Sequence, residues 1–106
     1  MQVSISDKDL EELINTGQNS KYKKYSRDKK FLDGLARAYK IMQIVENTEG
    51  LRLYSYLHYE KLANNVNLSS VRIVNGRVER LLFEETNDGI EITIIELNTQ
   101  HYGNKK

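Results

Sequence analysis

The chain contains no cysteine and no proline. The first absence excludes disulfides, thiolate nucleophiles and cysteine-rich zinc or iron–sulfur sites. The second, together with the lack of low-complexity tracts and internal repeats, leaves nothing to mark a linker. The 106 residues are therefore expected to form one domain spanning residues 1–106. Histidine is scarce as well. His58 and His101 lie far apart in sequence, which argues against a histidine metal site, and no metal or small-molecule cofactor is expected. No apolar run approaches membrane-spanning length, and MQVSISDKDL has neither the basic nor the apolar stretch of a signal peptide. A soluble, cytoplasmic protein with no membrane partner is the expectation.

What the chain does have is segregated charge. The sum is +1, yet residues 20 to 40 carry eight Lys/Arg against two Asp, whereas residues 1 to 19 and 84 to 106 are each net acidic. A locally basic surface suits a polyanion, although a solvated helix face explains any single charge run equally simply.

Apolar spacing sets out the elements. Val3 and Ile5 alternate with polar residues in a short strand, Gln2 to Ser6. Asp7 then caps a helix through Leu10, Leu13 and Ile14 that ends near Gly17. Gln18 to Ser26 is polar and basic, a loop or a frayed helical turn. From Arg27 to about Asn47, the residues Phe31, Leu35, Ala38, Met42 and Val45 recur at alternating steps of four and three, which predicts the main helix. Leu51 to Leu57 is read as an extended segment with Leu51, Leu53 and Leu57 on one side. Val71 to Val74, Asn75-Gly76 and Arg77 to Glu85 form a hairpin pattern, and Asn87-Asp88-Gly89 marks a second, longer turn. Ile90 to Leu97 is apolar on both faces, as in a doubly covered strand. The expected class is α+β: two helices packed on one face of a small, mainly antiparallel sheet, in the order β-α-α-β-β-β.

Four groups remain as candidates for chemistry. Lys21, Lys23, Lys24 and Arg27 interleave with Tyr22 and Tyr25, a pattern that suits single-stranded RNA, where cations hold phosphates and rings stack on bases. Such tyrosines also serve simply to close over a core. Arg72, Arg77 and Arg80 lie on the hairpin. A strict two-residue turn sets Arg72 opposite Glu79 and Arg80 opposite Val71, on different faces, whereas a bulge at the turn brings Arg72 and Arg80 to one face. His58 to Lys61 offers a base, a phenol, a carboxylate and an ammonium, of which alternation lets only two share a face. His101-Tyr102-Gly103-Asn104-Lys105-Lys106 places an imidazole and a phenol just beyond the last strand. RNA carries its own nucleophile in the 2′-hydroxyl, so cleavage requires only alignment, proton transfer and cations around the phosphate.

Several of these stretches, in their order and spacing, resemble the RelE/ParE superfamily of bacterial toxins, and within it the HigB branch of plasmid-maintenance killer proteins. Thr16-Gly17-Gln18-Asn19-Ser20-Lys21-Tyr22 is similar to that branch's Thr-Gly-Lys-Ser-Lys-Lys-Tyr. Tyr59-Glu60-Lys61-Leu62 resembles its Lys-Leu motif, Ser70-Val71-Arg72-Ile73 its Ser-Ile-Arg strand, and Arg80-Leu81-Leu82-Phe83 its Arg-Leu-x-Phe strand. Glu96-Leu97 with His101-Tyr102-Gly103 resembles its ending. The chain departs from the pattern in lacking the Pro-Pro before Lys-Leu, where Leu57-His58 stands, and in having Gln100 before His101.

The resemblance implies a toxin of a type II toxin–antitoxin system: a ribosome-dependent endoribonuclease that cuts messenger RNA without a metal. Its partners would be a cognate antitoxin of helix-turn-helix type, the ribosome and mRNA. It further implies that Arg72 and Arg80 engage the scissile phosphate, with Lys61 beside them, and that His101 and Tyr102 supply proton transfer or base stacking. Lys21, Lys23, Lys24, Arg27 and Arg77 would contact RNA. Two other readings stand beside it: a toxin of the same fold that acts on another target such as DNA gyrase, and a non-catalytic module binding RNA or protein.

Overall fold

The computed structural model describes residues 1–62 and 67–99. Along the chain these form β1 (Gln2–Ile5), α1 (Lys8–Thr16), α2 (Lys23–Ser26) and α3 (Lys29–Ile44), followed by two 3-10 turns, Thr48–Leu53 and Ser55–Leu57. Then come β2 (Glu60–Lys61), β3 (Leu68–Arg72), β4 (Arg80–Thr86), a 3-10 turn at Asn87–Gly89 and β5 (Glu91–Asn98). The five strands make one sheet in the order β1-β5-β4-β3-β2. Only the β1–β5 contact is parallel. The class is α+β, with helices on the sheet, as the apolar spacing predicts.

Local chemistry fixes the helix ends. The Asp7 carboxylate accepts from the Asp9 and Leu10 amides at 3.0 and 3.1 Å, and Gly17 closes α1 in the left-handed region at φ 77°. Asp28 caps α3 through the Phe31 amide at 3.0 Å. The α3 stripe of Phe31, Leu35, Ala38 and Met42 is buried against Val71, Ile73, Leu81, Phe83, Ile92 and Ile94, with Leu10 and Leu13 of α1 in the same core. Helix and sheet meet at Gly34. A Cβ there would stand 2.3 Å from the Ile73 carbonyl oxygen, so only glycine permits this approach.

Three expectations change. Leu51 to Leu57 is not extended: it winds into the two 3-10 turns, which bury Leu51 and Leu57 while Leu53 is 85 % exposed. The last strand is not doubly covered along its length. Leu82 pairs with Glu96 but Phe83 pairs with Ile94, so a bulge at Ile95 turns Ile92, Ile94 and Leu97 all toward the core despite their odd spacing. The β3–β4 hairpin has five residues between its paired ends, because Ile73 meets Glu79, its amide donating to the Glu79 carbonyl at 3.4 Å. Arg72 consequently lies opposite Arg80, and Val71 opposite Leu81.

Candidate functional site

That register places two guanidiniums in direct cross-strand opposition. Val71 and Leu81 face the core, so pleating sends Arg72 and Arg80 to the other side of the sheet, with Asn98 of β5 completing the row. The next row reads Glu60, Ser70, Leu82, Glu96 across the four strands β2, β3, β4 and β5. Ser70 and Leu82 are buried, and Arg80 is only 7 % exposed.

The pair is incompletely satisfied. Arg72 donates from Nη1 to the Arg77 carbonyl at 2.9 Å, and Arg80 Nη1 stands 4.0 Å from a Glu60 carboxylate oxygen. The Nε atoms of both arginines are buried and have no hydrogen-bond partner among the described residues. Like charges facing each other across a ladder destabilise it, and an unmade bond to a buried charged donor costs more. Guanidinium is a side chain suited to the oxygens of a phosphate or carboxylate.

The other expected site residues distribute themselves elsewhere. Lys61 is opposite Ser69, on the core side, and its Nζ lies 3.5 Å from Glu85 rather than beside the arginines. Arg77 is held structurally: it pairs with Asp28 at 2.9 Å and Glu79 at 3.2 Å and covers the Phe31 ring. Lys21, Lys23, Lys24 and Arg27 are exposed around α2. The rings among them turn inward. Tyr25 is buried against Phe31, with centroids 4.2 Å apart, and donates to Glu79 at 3.1 Å, while Tyr22 donates to Asp7 at 3.2 Å. Burial first, and then the facing carboxylate, pushes each of these phenols up to about 12. His58 takes the left-handed conformation, φ 47°, with Nε2 3.2 Å from the Asn75 side-chain oxygen. His101 and Tyr102 lie outside the described residues.

Two carboxylates organise the rest: Glu85, which had no expected role, and Glu79, expected opposite Arg72 but paired with Arg77. Glu85 is buried and accepts from Ser69 at 2.5 Å, from Thr48 at 3.0 Å and from Tyr59. Burial works to raise its carboxyl, but these hydroxyls and the Lys61 charge outweigh it and hold the group below the ordinary glutamate range. Glu79 follows the same logic: burial opposes ionisation, and hydrogen bonds from Arg77, its own amide and Tyr25 overcome it. The sequence signal for Glu85 was an acid on a β-strand next to apolar residues. Among the described residues no three His, Asp or Glu side chains are gathered closely enough to hold a metal ion, and no helix is long and apolar enough to cross a membrane.

Fold and site together define an α+β protein whose most distinctive polar feature is a cross-strand arginine pair. No family model, curated protein or solved structure matches the chain.

Proposed function

We propose that this protein is a RelE/HigB-like toxin of a type II toxin–antitoxin system that binds mRNA on the ribosome through its arginine pair and cleaves it without a metal. The observation that carries this reading is the opposition of Arg72 and Arg80 with both Nε donors buried and unpartnered among the described residues. A backbone phosphate docked on this row screens the repulsion between the guanidiniums and offers them acceptors. In cleavage the same contact strengthens as charge builds on the phosphorus oxygens during attack by the 2′-hydroxyl, so the pair acts in the transition state more than in the ground state. The exposed cations of Lys21, Lys23, Lys24 and Arg27 supply long-range attraction to ribosomal RNA. Proton transfer is assigned to His101 and Tyr102 on the family resemblance. A helix-turn-helix antitoxin is the expected partner, and the cytoplasm the expected compartment.

Induction of the chain without its antitoxin is expected to arrest growth and to create new transcript ends within codons. Arg72→Gln and Arg80→Gln, each folded by thermal unfolding, are expected to lower cleavage on purified ribosomes by about 100-fold. Full cleavage by both variants removes the arginine pair from the mechanism. Growth arrest with intact transcripts and damaged DNA assigns the toxin to a target such as gyrase, and salt-sensitive RNA binding without cleavage makes it a binding module.

A further inference from the structure

The arginine row does not stand alone on its face of the sheet. The adjacent row ends in a carboxylate on either side: Glu60 on edge strand β2 and Glu96 on β5. Glu96 is occupied laterally, accepting from the Asn98 side-chain amide at 3.3 Å. Glu60 is the one directed at the pair, 4.0 Å from Arg80 Nη1, with its own side chain 56 % exposed and that of Arg80 9 %. An exposed acid thus reaches toward a nearly buried guanidinium.

We infer that Glu60 is a charge-selectivity residue: it reduces the preference of the arginine pair for doubly charged ions, such as a terminal phosphate, relative to a singly charged phosphodiester, the internal linkage of a nucleic acid. This rests on the proposal that the pair binds phosphate. The reason is elementary electrostatics. The repulsion between Glu60 and an incoming ion scales with that ion's charge, so a dianion of the same size and shape suffers twice the opposing energy. A surface-accessible carboxylate exerts a modest effect, a few-fold in affinity for a monoanion, and that factor is squared for a dianion. A protein working amid free nucleotides and phosphate gains from such a filter, because the small polyanions otherwise compete with the polymer for the same guanidiniums.

The test uses two tetrahedral probes that differ in charge: dimethyl phosphate, with one negative charge, and sulfate, with two. Each is titrated into the full chain and into Glu60→Gln while the Nε–H signals of Arg72 and Arg80 are followed by NMR, with thermal unfolding confirming that the exposed substitution leaves the fold intact. Loss of the carboxylate is expected to tighten dimethyl phosphate about threefold and sulfate about tenfold, so that the logarithm of the gain doubles with probe charge. Equal gains for both ions, or no gain for either, overturn the role of Glu60 while leaving the arginine pair as an anion site. Silence of both Nε–H signals toward either ion in either protein overturns the anion site itself, and Glu60 with it. The charge-dependent signature in a protein that fails to cleave RNA upholds the Glu60 filter and sinks only the nuclease.

Discussion

A carboxylate inside a protein of this size is tolerated only where donors surround it, and Glu85 has four: the hydroxyls of Thr48, Tyr59 and Ser69, and the Lys61 ammonium. Those donors come from a 3-10 turn, the segment entering β2, β2 itself and β3, so one side chain on β4 ties the irregular middle of the chain to the sheet. Glu85→Ala leaves three buried or nearly buried hydroxyls without their acceptor. The expected cost is about 3 kcal/mol, the upper range for unmade bonds to a charged group, read as a lower urea midpoint at unchanged slope. A loss under about 1 kcal/mol would mean that the hydroxyls find other acceptors, and that the turns dock through Leu51 and Leu57 alone. Arg80 presents the opposite situation. It too is buried, yet its Nε has no acceptor among the described residues.

Between residue and molecule, the short helix α2 shows how a basic segment is held without an apolar face of its own. Asn19 is buried; its amide nitrogen donates to Asp9 at 3.0 Å and Glu12 at 2.7 Å, and its oxygen accepts from the Lys21 and Tyr22 amides at 2.9 and 3.1 Å. Acids of α1 thus fix the side chain that starts the turn presenting Lys21, Lys23 and Lys24. Asn19→Ala is expected to cost about 1–2 kcal/mol and to speed hydrogen exchange at the Lys21 and Tyr22 amides selectively. Uniform exchange across the molecule would show that α2 is instead held by Tyr25. The helices themselves were legible in the sequence, because Asp7, Gly17 and the four-three spacing after Arg27 are local signals read by local physics. The hairpin register was not. Asn75-Gly76 does turn the chain, with the Arg77 amide donating to the Val74 carbonyl at 3.0 Å. Pairing nonetheless begins only at Ile73 and Glu79, since Arg77 is drawn to Asp28 on the helix layer and its carbonyl receives Arg72. Contacts between residues almost fifty positions apart decide which face the arginines share, and no turn rule contains them. The same holds for Leu51 to Leu57, where alternation suggested a strand and burial of Thr48 beneath Glu85 selected 3-10 turns.

At the scale of the whole molecule, Glu79 and Glu85 each accept from a buried tyrosine, Tyr25 and Tyr59, so acid and alkaline stability are linked through the same two hydrogen bonds. Both carboxyls are held below their ordinary value of 4.5 in the fold, so their contribution is complete above that value and disappears as pH falls through the lower, folded one. The tyrosines run the other way. Burial and the facing carboxylates push Tyr22, Tyr25 and Tyr59 from 10.0 to about 12, which favours the neutral phenol in the folded state. Their contribution is complete below pH 10 and is lost as pH rises from there through about 12. Unfolding midpoints in urea should therefore hold level between about pH 5 and 10 and fall on both sides. Tyr59→Phe discriminates this linkage from general charge repulsion, which one neutral substitution would scarcely alter. With the phenol gone, one late-titrating group vanishes from the alkaline limb. With its donor gone, Glu85 moves back toward 4.5, and less acid-sensitive stability remains to be lost. Both limbs should become shallower while the plateau drops by about 1–2 kcal/mol; a change confined to the plateau would break the proposed connection between the phenol and the carboxylate.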